Sequence, residues 1–142
     1  MDEIVKYSGC FVCGDQNPIG LKARFYYDGE KAVSEVVADQ RYEGYRSIFH
    51  GGIISTMLDE VMIKAVLAED IYAVTAELTV RFMAPVHTGD RLAFTGWVTR
   101  RKGRMYFTEG EVRVDDQVVA GATGKYIEAR QEMQKLLKES ID

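Results

Sequence analysis

Apolar and polar residues alternate along most of this chain, and one stretch near its middle breaks the rule. Leu21, Ala23, Phe25 and Tyr27 alternate with Lys22, Arg24 and Tyr26, the period-two pattern of a half-buried strand. Asp28-Gly29 reads as a two-residue hairpin turn, and Ala32 to Ala38 as the returning strand. A loop from Asp39 to Phe49 then leads to His50-Gly51-Gly52, where the pattern changes. From Ile53 to Ala68 there is no helix breaker, and apolar residues cover most of the helical wheel, which predicts a long buried helix. Beyond Glu69-Asp70, Val74, Ala76, Leu78, Val80 and Phe82 alternate with Thr75, Glu77, Thr79 and Arg81, the most regular strand pattern in the sequence. Ala84 to Asp90 interrupts it. Strands follow at Arg91–Arg100, Arg104–Val114 and Gln117–Ile127, joined by turns at Arg101-Lys102-Gly103 and Asp115-Asp116. Residues 1–20 read as an irregular lead-in ending in Asn17-Pro18-Ile19-Gly20, and residues 128–142 as a polar C-terminal helix. Two strands, one helix and four strands in meander predict an α+β fold, an antiparallel sheet wrapped around one long central helix. Residues 1–142 are enough for one domain with a core of its own.

The central helix carries the candidate chemistry. A turn of 100° per residue places Ser55, Thr56, Asp59, Glu60 and Lys64 on one half of the wheel, against Ile54, Met57, Leu58, Val61, Ala65 and Ala68 on the other. Glu60 has Lys64 four residues on as a partner. Asp59 sits at the border, beside Met62, Ile63 and Val66, and an acid edged by apolar groups is the first candidate for chemistry. A solvent-facing or partner-facing aspartate is the other reading. The glycines let a backbone pass closely over a sheet, and a helix start of small residues also leaves N–H donors free for an oxyanion or phosphate. Those donors and Asp59 lie about two turns apart, roughly 10 Å of rise. One substrate atom is not easily served by both from a single chain. A second, antiparallel copy of the helix removes the difficulty.

Composition narrows the class. Apolar residues at 46% and charged residues at 28% exclude a disordered chain. A net charge of −4 argues against nucleic acid as the main partner. No apolar run reaches the length of a membrane span and no basic leader precedes one, so a soluble cytoplasmic protein is expected. Cys10 and Cys13 form Cys-Phe-Val-Cys-Gly. Structural zinc takes four ligands, and the two histidines, His50 and His87, lie far off at no finger-like spacing, leaving only a zinc shared between chains. A thioredoxin-like pair requires a βαβ context that does not follow. Two reduced thiols in a turn packed on the body, with no bound metal, are therefore expected.

That order of elements, with His50-Gly51-Gly52 opening the helix and Asp59 nine residues after the histidine, resembles the hotdog-fold thioesterases of the phenylacetate-pathway (PaaI-like) type. The resemblance spans nearly the whole chain. Cys10-Phe11-Val12-Cys13-Gly14 with Asn17-Pro18-Ile19-Gly20-Leu21 is similar to the N-terminal signature of one branch. Thr79-Val80-Arg81-Phe82-Met83-Ala84-Pro85, then Gly89-Asp90, is similar to the family's second strand and turn, and Gly124-Lys125-Tyr126-Ile127 to its closing strand.

The resemblance implies homodimers whose sheets join edge to edge, often paired into homotetramers. It implies a site at the dimer interface, where Gly51 and Gly52 of one chain face Asp59 of the other. The implied reaction is hydrolysis of an acyl-CoA thioester to free acid and CoA, with no cofactor beyond the CoA of the substrate. The amides of Gly51 and Gly52 would hold the oxyanion, and Asp59 would act as general base or as nucleophile. Thr75 matches a position where a hydroxyl stands near the attacking water, or is an ordinary outward strand residue. His50 belongs to the helix start rather than to the chemistry. Some relatives carry asparagine or glutamine six residues before the histidine, where this chain has Gly44. Arg100, Arg101, Lys102 and Arg104 form the one dense basic run, either a solvated hairpin tip or a seat for the CoA phosphates. Two other readings differ in class. A hydratase/dehydratase of this fold pairs an acid with a catalytic histidine, for which no suitable second histidine is found. An acyl-CoA sensor has no use for a semi-buried carboxylate.

Overall fold

Helix α1, Gly51–Leu67, starts two residues before the expected Ile53 because His50 caps it. Its buried residues include Ile54, Met57, Leu58, Val61 and Ala65 of the face the wheel marks as apolar. Ala68 of that face is the C-cap and only partly buried, and Met62, Val66 and Leu67 outside that set are buried as well. In this computed structural model, which describes residues 1–141, the helix lies against one antiparallel sheet of seven strands. These are β1 (Asp2–Glu3), β2 (Tyr26–Tyr27), β3 (Ala32–Val37), β4 (Ala73–Phe82), β5 (Arg91–Lys102), β6 (Met105–Val114) and β7 (Gln117–Glu128). Their order across the sheet is β1-β2-β3-β5-β6-β7-β4, so β4, which directly follows α1, forms an outer edge. The expected sheet around one central helix is the fold observed.

The helix can approach the sheet closely at one place. Gly96 on β5 and Gly110 on β6 are register partners. A Cβ on Gly96 would stand 2.6 Å from the Val61 carbonyl oxygen, and one on Gly110 would stand 3.0 Å from Met62 Cγ. The first clash is with backbone, which moves only if the whole helix moves. Gly96→Ala is therefore expected to cost about 2 kcal/mol or more of stability, at the upper end of overpacking penalties. Gly121→Ala, whose added carbon meets nothing closer than 3.7 Å, is the control. Paired denaturant titrations check this, and equal midpoints for the two variants would contradict it.

Several expected boundaries shift for identifiable reasons. The strand expected over Leu21–Tyr27 shrinks to β2, because Lys22 takes a positive φ of 53° and breaks the run. The lead-in, expected to be irregular, contributes β1 and pairs with this segment: Leu21 N–H donates to Phe11 O at 2.8 Å and Ala23 N–H to Val12 O at 2.9 Å. The connection to β3 spans residues 28–31 rather than two residues, with Asp28 Oδ1 accepting from the amides of Glu30 and Lys31. The β5–β6 turn is Gly103-Arg104, since Lys102 still pairs with Met105; Arg101 and Lys102 belong to the strand. Asp115-Asp116 is the two-residue turn expected, both residues in the left-handed region. Helix α2 runs Gln131–Glu139, starting late because β7 continues to Glu128. Asp142, the last residue of the expected C-terminal helical segment, lies outside the described residues. Among the described residues no helix is long and apolar enough to cross a membrane.

Candidate active site

His50 builds the helix start. Its backbone is extended at φ −65° and ψ 126°, and its Nδ1 accepts the Gly52 N–H at 2.8 Å. A Cβ on Gly52 would stand 2.9 Å from that ring, so the cap requires glycine there. Because Nδ1 is an acceptor, the neutral imidazole carries its proton on Nε2. His50 thus caps the helix. The cap also separates two glycines that the sequence treats alike. The Gly52 amide is spent on His50, whereas the Gly51 N–H has no acceptor among the described residues. The Gly51 amide borders a cavity of about 850 Å³ whose wall includes Tyr45, Phe49, Ser55, Phe82 and Met83. Gly44 backs the imidazole, its missing Cβ lying 3.4 Å from His50 Cδ2.

Eight residues along, Asp59 is gripped from the sheet. Tyr126 Oη donates to Asp59 Oδ1 at 2.8 Å and also reaches the Asp59 carbonyl at 3.0 Å. Thr75 Oγ1 donates to the same Oδ1 at 3.1 Å and lies 3.5 Å from Oδ2. Burial, and then the Asp59 charge, push the Tyr126 phenol far above its ordinary pKa, so it remains a donor. Both donors converge on one oxygen. They fix the carboxylate plane and leave Oδ2 the less engaged of the two.

Thr75 reaches Asp59 through a defect in β4. Thr75 and Tyr126 are register partners, and the pairing with β7 slips between Thr75 and Glu77. The extra residue of this β-bulge flips the phase of the strand. Before it, Ala73 is buried while Val74 is 40% exposed; after it, Leu78 and Val80 pack on the core. The expectation that Val74 shares a face with Leu78 is therefore corrected. Thr75 faces the helix.

The neighbouring acid, Glu60, is one whose charge is disfavoured. Burial, followed by the nearby Cys10 charge, raises its pKa to about 7. Its ion pair with Lys64 is present at 3.7 Å, but Lys64 is only 1% exposed and does not share a solvated face. The cysteines are free thiols in a turn packed on the body, as expected. Cys10, Cys13 and Glu60 hold their ligating atoms within 4.8 Å of one another, a trio that cysteine and histidine spacing does not reveal.

The basic run is partly tied to the protein itself. The Arg100 guanidinium lies 3.7 Å from the Phe107 ring centroid, Arg101 Nε donates to Gly103 O at 2.9 Å, and Arg104 Nη1 donates to Glu128 O at 2.8 Å. All four side chains are exposed. Arg104 occupies the tip itself, and Arg101 and Lys102 precede it on β5 rather than forming the tip.

Comparison with known proteins adds a family. The model of the thioesterase superfamily matches residues 47–120, the stretch that holds the helix, the strands β4, β5 and β6, and the start of β7. A Caenorhabditis elegans protein with a provisional esterase name is 31% identical over 98 residues, covering 68% of this chain and 58% of its own. A solved thioesterase superfamily protein superposes with a TM-score of 0.79 at 24% identity, over 85% of this chain and 61% of the other. The PaaI protein of the Escherichia coli phenylacetic acid degradation operon gives 0.73 at 21% identity, over 78% and 81%. A Streptococcus pneumoniae protein described as a hypothetical thioesterase, solved with coenzyme A, gives 0.71 at 15% identity, over 77% and 90%. The chain thus spans under two thirds of the length of the curated relative. The structural likenesses bear out the hotdog architecture and the resemblance to PaaI-like proteins.

Proposed function

The chain belongs to the thioesterase superfamily, and from that premise we propose that it hydrolyses an acyl-CoA thioester to the free acid and CoA. The observation that carries the reading is the preset carboxylate: Asp59, held through one oxygen by Tyr126 and Thr75, on the helix whose start presents a free Gly51 amide. Asp59 accepts the proton of a water as that water attacks the thioester carbon. The carbonyl oxygen, now negative, is met by the Gly51 N–H and the positive end of the helix. The carbon–sulfur bond then breaks, and the CoA sulfur leaves with the proton Asp59 held. In direct attack, Asp59 displaces the CoA thiolate, which takes its proton from solvent, and the resulting anhydride is opened by water at the aspartyl carbon. Single turnover in heavy-oxygen water separates the routes, because only the second puts the label on Asp59.

Gly51 and Asp59 lie about two turns apart on one helix, roughly 12 Å of rise. The active unit is therefore a homodimer in which each site takes Gly51 from one chain and Asp59 from the other. The β4 edge is the surface for pairing, since an unpaired strand edge favours addition of another strand. At its end, Phe82 and the following Met83 are half exposed. The bound CoA of the Streptococcus pneumoniae relative supports CoA as the carrier here.

The test is thiol release from acyl-CoAs between acetyl and palmitoyl, with aryl-acyl esters included. Turnover of at least one, lost on substitution of Asp59, is expected; tight acyl-CoA binding with no thiol release from any of them would favour a sensor. The exposed arginines supply a second test. If Arg100 and Arg104 meet CoA phosphates, Arg100→Ala and Arg104→Ala should raise KM with little change in kcat, because remote binding lost equally from ground and transition state acts on KM. The effect should shrink as salt rises, exposed charges being screened within about 10 Å at 0.1 M. Short pantetheine thioesters lacking the nucleotide should show no such change. Equal losses on both substrate types would remove the basic strand end from the binding site.

A further inference from the structure

Outside the Asp59 site, a second cluster of reactive side chains has no part in the chemistry above. The turn over residues 7–14 holds Cys10 in a closed loop, with Cys10 N–H donating to Tyr7 O at 3.0 Å and Gly14 N–H to Cys10 O at 2.9 Å. A Cβ on Gly14 would stand 2.3 Å from the Ser8 carbonyl oxygen, so only glycine closes this turn. Its product is a pair of amides aimed at one sulfur: Val12 and Cys13 N–H reach Cys10 Sγ at 3.3 and 3.4 Å. Beside it, Lys64 Nζ donates to Cys13 Sγ at 3.5 Å and to the Val5 carbonyl oxygen, and pairs with Glu60 at 3.7 Å. The Tyr7 ring centroid lies 5.4 Å from the ammonium.

Cys10, Cys13 and Glu60 are close enough together to suggest a metal site, but the cluster has a cation of its own. Lys64 is buried and touches both Cys13 and Glu60, which is where a divalent ion would repel it. The same ammonium suits a thiolate. Cys10, half-buried, lies in the wall of a cavity of about 680 Å³ that Glu60, Lys64 and Thr75 also line. We infer that Cys10 and Cys13 form a redox-active dithiol opening on this cavity, in which Cys10 attacks a hydroperoxide small enough to enter and Cys13 resolves the product.

The steps balance. The Cys10 thiolate attacks one peroxide oxygen, the O–O bond breaks, and the other oxygen leaves as an alcohol or water after taking a proton. Glu60 lies within reach of both sulfurs and, with a pKa near 7, is the proton donor at hand. Cys13 sulfur then attacks the Cys10 sulfenic acid, the S–O bond breaks, and the Cys13 proton leaves with the hydroxide as water. Two thiols lose two electrons and the peroxide gains them. The asymmetry of the pair fits these roles. The Cys13 S–H bond to Cys10 comes first among the causes that hold Cys10 down at about 5, with the two amides and Lys64 adding to it, while the same bond and burial push Cys13 up.

The experiment uses the intact reduced chain with hydrogen peroxide as the probe. Mass spectrometry should show loss of two hydrogens and a Cys10–Cys13 peptide cross-link. Brief iodoacetamide treatment in mildly acidic buffer should label Cys10 and spare Cys13. In Cys13→Ser, Cys10 should accumulate as a sulfenic acid that dimedone traps; in Cys10→Ser, Cys13 should stay a thiol. Two unchanged thiols after peroxide, or label on Cys13 in preference to Cys10, would overturn the assignment. So would a stoichiometric divalent metal in the purified protein that blocks both sulfurs until it is chelated.

Discussion

Asp59→Asn is expected to lower kcat by at least ~100-fold, the usual worth of a positioned general base, with the fold unchanged. The amide matches the carboxylate in shape, and its oxygen can still accept from Tyr126 Oη and Thr75 Oγ1, now at 2.8 and 3.1 Å from Oδ1. What it loses is the ability to take a proton from water or to attack carbon. The adjacent acid is the internal control. Glu60 belongs to the Lys64 and Cys13 cluster, so Glu60→Gln should hydrolyse within a few-fold of the parent. Steady-state kinetics with far-ultraviolet circular dichroism checks the pair. Full activity in Asp59→Asn together with a dead Glu60→Gln would reverse the roles given to the two acids.

Gly51→Pro is expected to cost about 100- to 1,000-fold in kcat, the range for removal of one oxyanion donor, and to leave the helix intact. Gly51 is the first helical residue, where proline is well tolerated because that N–H has no intrahelical partner. His50, at φ −65° and ψ 126°, already has the extended backbone that a following proline requires. The ring meets the end of the Phe82 side chain, which a Cβ would contact at 3.4 Å. The substitution therefore deletes one hydrogen-bond donor and little else. Gly51→Ala keeps the donor and should keep most of the activity. If proline and alanine behave alike, crowding against Phe82 rather than the amide is responsible.

What the sequence makes legible is local. His50-Gly51-Gly52, the apolar wheel of α1 and the Asp115-Asp116 turn depend on neighbours a few residues apart, and each appears where the pattern puts it. What it hides arises from contacts across the chain. Tyr126 reaches Asp59 across 67 positions, and nothing in the alternation of β7 distinguishes that tyrosine from a core residue. Lys64 reads as one more polar residue on a wheel, yet its partners at Val5 and Cys13 lie 59 and 51 positions away. The β4 bulge leaves the period-two pattern looking perfect while reversing which face its first half presents. The turn after β5 slips toward Arg104 because Gly103, at φ 60°, takes the position that needs a left-handed backbone.

The sharing of one site between two chains is the central claim, and mixing two dead variants measures it. Asp59→Asn keeps Gly51, and Gly51→Pro keeps Asp59. In a symmetric dimer with crossed sites, a mixed pair has one site with both defects and one with neither. Co-refolding equal amounts should form mixed dimers in about half of the population, restoring about a quarter of the parent activity per chain for random pairing. Recovery to that level, absent when either variant is refolded alone, is the predicted result. Mixed dimers verified by mass that remain as inactive as their parents would contradict the shared site.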